Sequence, residues 1–248
     1  MEGRTLVIVP TYNERENIEA LADRLFDSAP EEVDLLVVDD GSPDGTAELV
    51  RKFGAKYGRV HLIERTSKQG LGASKLEGIR WALARSYTSV VEMDGDLSHD
   101  PAVVPKLVEL LEDADLVIGS RYIPGGGITK WSLFRRALSK GGNSYQRFML
   151  RSGVRDGTSG FRAYRSSILR KLTLDEDHLE GFGFLIEMVR RVHLAGGRIK
   201  EHPIFFAERR AGESKIDREV VLEALKSVTR WGISDRLAHL RRRSRSGG

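Results

Sequence analysis

Short runs of β-branched and other apolar residues recur through the first half of the 248-residue chain, and they limit its fold more than any other feature. Five such runs occupy residues 6–9, 35–38, 60–63, 90–93 and 116–118. Between the first two, apolar residues recur with the spacing of one helix face, at Ile18, Leu21, Ala22 and Leu25. Strands separated by amphipathic helices predict right-handed βαβ units. The sequence therefore predicts an α/β fold with a Rossmann-like, mainly parallel central sheet flanked by helices.

Polar and acidic motifs follow three of these predicted strands. Residues 10–14 follow the first strand, residues 39–42 follow the second, and residues 94–96 follow the fourth. Each motif alone is also consistent with a turn or a helix entry whose side chains only cap the backbone. In parallel sheets, however, ligands bind beyond the carboxyl ends of the strands. Because all three motifs occur at such ends, we expect them to form one binding site.

The Asp94-Gly95-Asp96 motif is the most informative of the three. Side chains at positions i and i+2 of a strand project to the same side, so the two carboxylates can converge on one cation. The glycine between them allows the backbone to approach a ligand closely. Carboxylates together with substrate oxygens suit Mg²⁺ or Mn²⁺ bound to a diphosphate. The alternative is that the two aspartates cap a turn before Asp100.

Composition argues against several other kinds of protein. The chain has no cysteine, so it can form neither a disulfide framework nor a thiolate metal site. No stretch approaches the roughly 20 consecutive apolar residues of a membrane span, and the first residues do not resemble a secretory signal. The net charge of +4 is modest and no nucleic-acid-binding motif is present, so no nucleic-acid partner is expected.

After Arg121 the alternation of strands and helices becomes less regular, but no linker divides the chain. We expect a glycine-rich loop at 124–127, a basic helix over 131–150, a turn at 156–162, helices near 184–195 and 218–231, and a strand at 204–206. These features predict a single domain over residues 1–235. Arginines crowd the last residues, 236–248, which we expect to form a disordered basic tail. Attraction of this tail to an anionic membrane is the alternative.

The combined motifs resemble those of a known family. Val-Pro-Thr-Tyr-Asn-Glu at 9–14, Val-Asp-Asp-Gly-Ser-Pro-Asp-Gly-Thr at 38–46, Met-Asp-Gly-Asp-Leu at 93–97 and Gly-Ser-Arg-Tyr at 119–122 are similar to motifs of the family 2 glycosyltransferases, which have the GT-A fold. Within that family, Asp-Gly-Thr-Ser-Gly-Phe-Arg at 156–162 and Gly-Glu-Ser-Lys at 212–215 resemble the dolichol-phosphate and bacterial polyprenol-phosphate mannose synthases. The similarity spans residues 5–220.

The resemblance implies an inverting, metal-dependent enzyme that uses Mg²⁺ or Mn²⁺ to transfer mannose from GDP-mannose to a polyprenyl monophosphate. It also implies a nucleotide-sugar half over residues 1–120 and an acceptor half over residues 121–235. The positions that match the family's nucleotide-sugar contacts are Pro10, Tyr12, Glu14, Val38, Asp40, Asp94, Gly95, Asp96, Arg121, Arg209 and Lys215. Asp94 and Asp96 match its metal ligands, and the positions expected to hold the acceptor phosphate are Arg121, Arg135 and Ser139. The residues expected to be catalytic are Asp94, Asp96, Arg121 and Arg135.

The chemistry implied by the resemblance agrees with the residue types. An acceptor phosphate is already anionic near neutral pH, so no strong general base is needed to activate it. Arginines can instead hold it through bidentate hydrogen bonds, in line with the reacting carbon. The chain departs from the family at Ser98, where some members have a glutamine as a further metal ligand. The resemblance therefore does not extend to a third protein ligand at Ser98.

Because a polyprenyl phosphate resides in a membrane, we expect a peripheral enzyme on the cytoplasmic face. The docking segment would be residues 130–151, whose apolar contacts would come from Trp131, Leu133, Phe134, Phe148 and Met149. An ordinary helix packed on the core is the alternative, and a separate membrane protein could anchor the enzyme. Two other functions stay open: transfer from another donor such as UDP-glucose to the same acceptor, and a non-catalytic protein that binds nucleotide sugars.

Overall fold

A computed structural model of the protein describes residues 3–67, 70–174, 181–207 and 218–245. Within these ranges, seven strands form one sheet in the order β3-β2-β1-β4-β7-β5-β8. Their bounds are β1 Thr5–Thr11, β2 Val33–Asp39, β3 Val60–Glu64, β4 Ser89–Glu92, β5 Leu116–Ser120, β7 Arg162–Arg165 and β8 Ile199–Pro203. β7 runs antiparallel to both of its neighbours, β4 and β5, and the other pairs are parallel. The predicted mainly parallel sheet is confirmed.

A second, two-stranded parallel sheet joins β6, Gly127–Ile128, to β9, Phe205–Phe206. It ties the glycine-rich segment after Arg121 to the chain beyond β8. The sequence predicts a glycine-rich loop at 124–127, and the structure differs at Gly127, which begins β6 and donates its amide hydrogen to the carbonyl of Ile204, 3.0 Å away.

The described helices cover both faces of the central sheet. They are α1 Arg15–Ser28, α2 Thr46–Tyr57, α3 Leu71–Ala84, α4 Val104–Glu109, α5 Leu133–Leu150, α6 Ser166–Leu169, α7 Phe182–Leu194 and α8 Arg218–Arg245. α8 continues to Arg245, which differs from the disordered tail predicted over 236–248. Leucine, alanine and arginine have high helix propensity, and neither glycine nor proline interrupts residues 236–245. None of the described helices has the length and apolar character needed to cross a bilayer.

Alternation along the buried strands divides the core into two layers. Val7 and Val9 of β1 pack towards α1 and α4 on one face, whereas Leu6 and Ile8 pack towards α3 and α7 on the other. A smaller cluster, which includes Met149 of α5, joins α5, α7 and α8. Met149 is only 8% exposed, so the expectation that it contacts a membrane is wrong. It lies on the side of α5 that faces α7 and α8.

Candidate active site

The ends of β1, β2 and β4 bring the three predicted motifs together. Thr11 pairs with Asp39 across β1 and β2, and the amide of Met93, just beyond β4, donates to the carbonyl of Ile8, 3.1 Å away. Gly95 lies so close to the end of β1 that an added Cβ would be 3.3 Å from Val9 Cγ1. The same Cβ would be 3.5 Å from Glu14 Cγ. The acidic motif after β4 therefore packs directly on the motif after β1.

The two aspartates lie beyond their strand rather than in it. β4 ends at Glu92, so the expectation based on strand alternation, that both side chains project to one side, does not apply. Asp96 is 2% exposed, and its Oδ1 accepts hydrogen bonds from the amide of Ser98 at 3.0 Å and its hydroxyl at 2.6 Å. The side chain of Asp94 is 27% exposed and lies nearer the opening of the site. Asp96 thus caps a turn while Asp94 faces outward.

Gly160 and His99 flank Asp94. A Cβ on Gly160 would lie 3.0 Å from Asp94 Oδ1, a tight contact that would push the carboxylate from its present position. The amide of Asp94 donates to His99 Nδ1 at 3.3 Å, which leaves the proton of a neutral imidazole on Nε2. Burial lowers the pKa of His99, and this effect outweighs the negative charges of Asp94 and Asp96, which raise the pKa. His99 therefore supports the turn as a buried hydrogen-bond acceptor.

This pair of carboxylates has the ligand chemistry of a site for a hard divalent cation. Carboxylate oxygens are the ligands that Mg²⁺ and Mn²⁺ prefer, and Mg²⁺ in particular is often held by one or two carboxylates plus substrate phosphates. The described residues hold no cluster of three or more histidine, cysteine, aspartate or glutamate side chains suited to a metal. Ser98 directs its hydroxyl proton to Asp96. Two protein ligands, completed by substrate oxygens, are what this arrangement can supply.

On the nucleotide side, the predicted residues have different environments. Asp40 is 5% exposed, and its Oδ1 accepts from Arg65 Nη1 at 2.9 Å and from Ser74 Oγ at 3.0 Å. Val38 is fully buried in the core, so its side chain cannot reach a ligand and only its backbone remains available. Tyr12 is 42% exposed at the end of β1, where a base could stack on it.

Other residues on this side hold the motifs in place. Glu14 accepts a hydrogen bond from Asn17 at 2.8 Å, and Pro10 lies in β1 opposite Val38. Arg209 and Lys215, predicted to close over the donor phosphates, lie outside the described residues.

Arg121, predicted to contact the acceptor phosphate, directly follows β5 and is held by Asp156. Its Nε and Nη2 donate to the two carboxylate oxygens at 2.8 and 2.7 Å, and its amide donates to Oδ2 at 2.9 Å. Nη2 also donates to Thr158 Oγ1 at 2.9 Å. Burial opposes the charged form of Arg121, but the hydrogen bond and charge of Asp156 outweigh it and raise the arginine's pKa. Arg121 is thus a permanently charged group with a fixed orientation.

Trp131 connects the two arginines predicted to hold the acceptor phosphate. The guanidinium carbon of Arg135 lies 3.9 Å from the centre of the Trp131 ring, and that of Arg121 lies 5.6 Å from it. Ser139, one turn after Arg135 on α5, accepts a 2.6 Å hydrogen bond from the hydroxyl of Tyr122. The structure therefore brings Arg121, Arg135 and Ser139 to one place.

These three residues line a pocket of about 410 Å³ between α5, α7 and α8, which we call the acceptor pocket. Its apolar walls come from α5, α7 and α8, through Leu138, Phe182, Ile186, Val221, Ala224, Leu225 and Val228. A pocket that combines two arginines with aliphatic walls suits a ligand that has an anionic head and a hydrocarbon chain.

Sequence reasoning missed the residues that hold the site together. Asp156 begins an Asp-Gly pair, which predicts a turn and gives no sign that its partner is Arg121, directly after β5. Asn143 of α5 donates to Thr158 at 2.9 Å, which links α5 to the loop that carries Asp156. The walls contributed by α8 have a detectable signal, the helical spacing of Val221, Leu225 and Val228, but nothing in the sequence says what that stripe faces.

Aromatic rings connect the acidic motif to the acceptor pocket. His99 stacks on Phe161 with ring centres 5.0 Å apart, and Phe206 of β9 lies edge-on to His99 at 5.2 Å. Phe206 in turn meets Trp131 at 5.7 Å. The acidic motif and the acceptor pocket are therefore connected by packed aromatic side chains.

Comparison with known proteins identifies the family. The profile for "Glycosyl transferase family 2" matches residues 6–173 of the chain. The undecaprenyl-phosphate mannosyltransferase of Micrococcus luteus is 46% identical over 240 residues, which cover 97% of this chain and 98% of that protein. The polyprenol monophosphomannose synthase of Mycolicibacterium smegmatis is also 46% identical over 240 residues, covering 96% of this chain and 90% of that protein.

A solved structure supports the fold independently. Glucosyl-3-phosphoglycerate synthase from Mycobacterium tuberculosis, crystallised with Mn²⁺, UDP-glucose and phosphoglyceric acid, superposes with a TM-score of 0.65 at 22% identity. The match covers 92% of this chain and 80% of that one. Together with the mainly parallel sheet, this confirms the GT-A fold. The chain belongs to glycosyl transferase family 2.

Proposed function

We propose that this protein transfers mannose from GDP-mannose to a polyprenyl monophosphate, with inversion at the anomeric carbon. The observation that carries the proposal is the acceptor pocket, whose aliphatic walls lead to Arg121, Arg135 and Ser139. Arg121 follows β5 and Asp94 follows β4, and these two strands end at the same edge of the sheet. The M. luteus and M. smegmatis relatives, named for mannosyl transfer to undecaprenyl phosphate and for polyprenol monophosphomannose synthesis, support this choice of donor sugar and acceptor.

On the donor side, the nucleotide would lie across the ends of β1 and β2. Tyr12 offers an exposed ring to the base, and the backbone at Val38 and the carboxylate of Asp40 lie at the next strand end. Arg65 and Ser74 fix that carboxylate, so its orientation does not depend on the ligand. We propose that Arg209 and Lys215 contact the donor phosphates, as the family pattern implies.

On the acceptor side, the task is to hold one anion close to another without a strong base. Arg121 is oriented by Asp156 along the Nε–Nη2 edge, which leaves Nη1 as the guanidinium nitrogen with no hydrogen bond among the described residues. Because Arg121 lines the acceptor pocket, Nη1 is the group best placed to meet a phosphate oxygen there. Arg135 and the Ser139 hydroxyl would complete the cradle, and an ionised phosphate would need no proton removed before it attacks.

A divalent cation, Mg²⁺ or Mn²⁺, held by Asp94 and Asp96, would neutralise charge on the departing diphosphate. Asp96→Asn tests this role. Asparagine keeps the Oδ1 acceptor that caps Ser98, so the fold should survive while transfer is abolished. Unchanged circular dichroism with no turnover is the expected result. Wild-type rates in this variant would refute the metal role of Asp96.

The surface around α5 supports peripheral docking on the cytoplasmic face of a membrane. Leu133, Phe134 and Phe148 of α5 are 83%, 79% and 69% exposed. α8 adds Leu222 at 55% and Ile233 at 51%. Exposed aliphatic and aromatic residues beside cations are typical of helices that lie in a membrane interface. A separate membrane-anchoring protein could add to this contact.

A donor screen tests the whole proposal. The full chain would be incubated with Mg²⁺ or Mn²⁺, a short-chain polyprenyl phosphate and each labelled nucleotide sugar, and label would be followed into organic solvent. GDP-mannose should be the preferred donor. Preference for UDP-glucose would select the alternative donor. Tight binding of a nucleotide sugar without any transfer would instead indicate a non-catalytic binding protein.

A further inference from the structure

A second pocket lies on the other flank of α5. It has a volume of about 220 Å³, and it shares no lining residue with the acceptor pocket. We call it the basic pocket, and its lining residues are Tyr122, Lys140, Asn143, Ser144, Arg147 and Arg155. Three of the six carry a positive charge. At roughly 30 Å³ per water molecule, the space corresponds to about seven waters, which is room for a phosphate group with a polar substituent.

The charge of the basic pocket is not compensated by the protein around it. Among the described residues, no carboxylate forms an ion pair with the side chains of Lys140, Arg147 or Arg155. The two carboxylate oxygens of Glu201 accept hydrogen bonds from the amides of Arg155 and Asp156, both at 2.9 Å. Those bonds hold the loop that carries Arg155 and direct the glutamate to the backbone.

The position of the basic pocket relates it to the membrane-facing side of α5. Lys140, Ser144 and Phe148 follow one another at intervals of four residues, so they lie along one stripe of the helix. Phe148 is 69% exposed at the end of that stripe. If Phe148 enters the acyl region, the cations beside it lie at the depth of the phosphate groups, where basic side chains are attracted to anionic lipids.

We propose that the basic pocket binds the phosphodiester headgroup of an anionic glycerophospholipid, and so orients the enzyme on its membrane. The proposal rests on the proposed function, because it takes α5 to be the membrane-facing helix. Uncompensated cations and a hydroxyl donor fit a phosphodiester anion, whereas a zwitterionic headgroup would bring an ammonium group into a positive site.

The acceptor phosphate is a less suitable occupant because a wall separates the two pockets. Tyr122 lines the basic pocket and donates its hydroxyl to Ser139, which lines the acceptor pocket. Asn143 likewise lines the basic pocket and donates to the carbonyl of Ser139 at 3.1 Å and to Thr158 at 2.9 Å. A headgroup in the basic pocket would therefore contact Tyr122 and Asn143, which hydrogen-bond to Ser139, without entering the acceptor pocket.

The test compares two triple variants of the full chain that remove the same charge. In the pocket variant, Lys140→Gln, Arg147→Gln and Arg155→Gln are combined. In the control variant, Arg24→Gln, Lys52→Gln and Lys171→Gln are combined; these exposed cations lie on α1, on α2 and just after α6. Binding is measured by flotation with vesicles of phosphatidylcholine containing phosphatidylglycerol, and by titration with monomeric dihexanoyl phosphatidylglycerol.

The pocket variant should lose about 100-fold in vesicle partitioning, since each interfacial cation is worth roughly fivefold. It should also lose saturable binding of the monomeric lipid. The control variant should retain both. Equal losses in the two variants, or none in either, would overturn the proposal. So would a tenfold or greater rise in the KM for a short-chain acceptor in detergent, because the cations would then belong to the acceptor site.

This design separates the two proposals. Wild-type protein that binds phosphatidylglycerol through the basic pocket, yet transfers no sugar to any acceptor, would support the headgroup site while refuting the proposed function. If the wild-type protein transfers sugar in detergent but shows no saturable binding of the monomeric lipid, the proposed function is supported and the headgroup site is refuted.

Discussion

Replacing Asp156 by asparagine removes the charge that holds Arg121 in place. The side chains of the pair are 0% and 5% exposed, respectively, and two hydrogen bonds of 2.7 and 2.8 Å join them. Asparagine has the same shape but only one acceptor oxygen, and its amide would face a guanidinium N–H. Breaking a buried ion pair by removing one partner costs about 3–5 kcal/mol, because the other charge stays buried and uncompensated. That is a large share of a typical net stability of about 5–15 kcal/mol.

Urea unfolding followed by circular dichroism measures this loss. Asp156→Asn should unfold at a clearly lower urea concentration than wild type, and Arg121→Gln added to it should restore part of the difference. Glu16→Gln, at an exposed position on α1, is the matched control and should stay within about 0.5 kcal/mol of wild type. A stability of Asp156→Asn equally close to wild type would refute the assignment of a buried, compensating pair.

A steady-state experiment separates the positioning role from the stability role. At a temperature where Asp156→Asn is fully folded, the KM for the polyprenyl phosphate should rise, because Arg121 no longer has a fixed orientation. The affinity for the nucleotide sugar, measured without acceptor, should change little, since Asp156 lies on the acceptor side. Equal weakening of both substrates would indicate a general loss of structure and would count against a specific role in acceptor binding.

Three further perturbations test other parts of the site and its support. Gly160→Ala should sharply reduce transfer at nearly unchanged stability, because its Cβ would lie 3.0 Å from Asp94 Oδ1; wild-type kinetics would contradict this. Lys75 Nζ lies 3.5 Å from the carboxylate of Glu92, and both side chains are fully buried. Lys75→Met should therefore destabilise the protein by about 3–5 kcal/mol, because the charge of Glu92 stays buried without its partner. Adding Glu92→Gln should recover much of that loss in a urea titration. Burial lowers the pKa of His61 in the folded protein below the value of about 6.5 that an unfolded histidine has. As the pH drops through that unfolded-state value, the unfolded state binds more protons than the folded state, so the free energy of unfolding should fall. His61→Gln should make that pH dependence shallower, and an unchanged slope would refute the assignment.

The sheet was largely predictable because its strands are buried on both faces. The apolar runs at 6–9 and 35–38 correspond to β1, Thr5–Thr11, and β2, Val33–Asp39. Such strands need apolar residues at every position, so they are visible as continuous runs. The sequence therefore contains the order and approximate bounds of β1 to β5, but not of β8, whose residues Ile199–Pro203 form no apolar run.

β7 was not predictable for a physical reason. It consists of Arg162–Arg165, and its first residue is a fully buried arginine. The guanidinium of Arg162 donates to the carbonyls of Gly157, Ser159 and Leu185, each at 2.6 Å. A charged residue in a central strand is stable only with such partners. Because the partners come from a loop and from α7, nothing local to the strand indicates them.

The candidate site was also predictable only in part: its location follows from the strand ends, but its side-chain contacts do not. Residue types and strand ends predict which side chains gather at the edge of the sheet, since that edge follows from topology. They do not predict that Asp96 is buried in a turn while Asp94 faces outward, because β4 ends before either residue. The partnership of Arg121 with Asp156 joins residues that lie 35 positions apart, and no periodicity marks it.

The loop between Asp156 and Gly160 fixes the positions of the residues proposed to hold the acceptor phosphate and the donor's metal relative to each other. At one end, Asp156 orients Arg121 in the acceptor pocket. At the other end, Gly160 packs against Asp94, and its carbonyl accepts a hydrogen bond from the buried ammonium of Lys75 at 3.3 Å. Transfer between two anionic substrates depends on alignment more than on proton removal, because misplacement by about 1 Å can cost a hundredfold in rate. A short loop fixed at both ends by buried charged groups gives the alignment that two separately mobile segments would not.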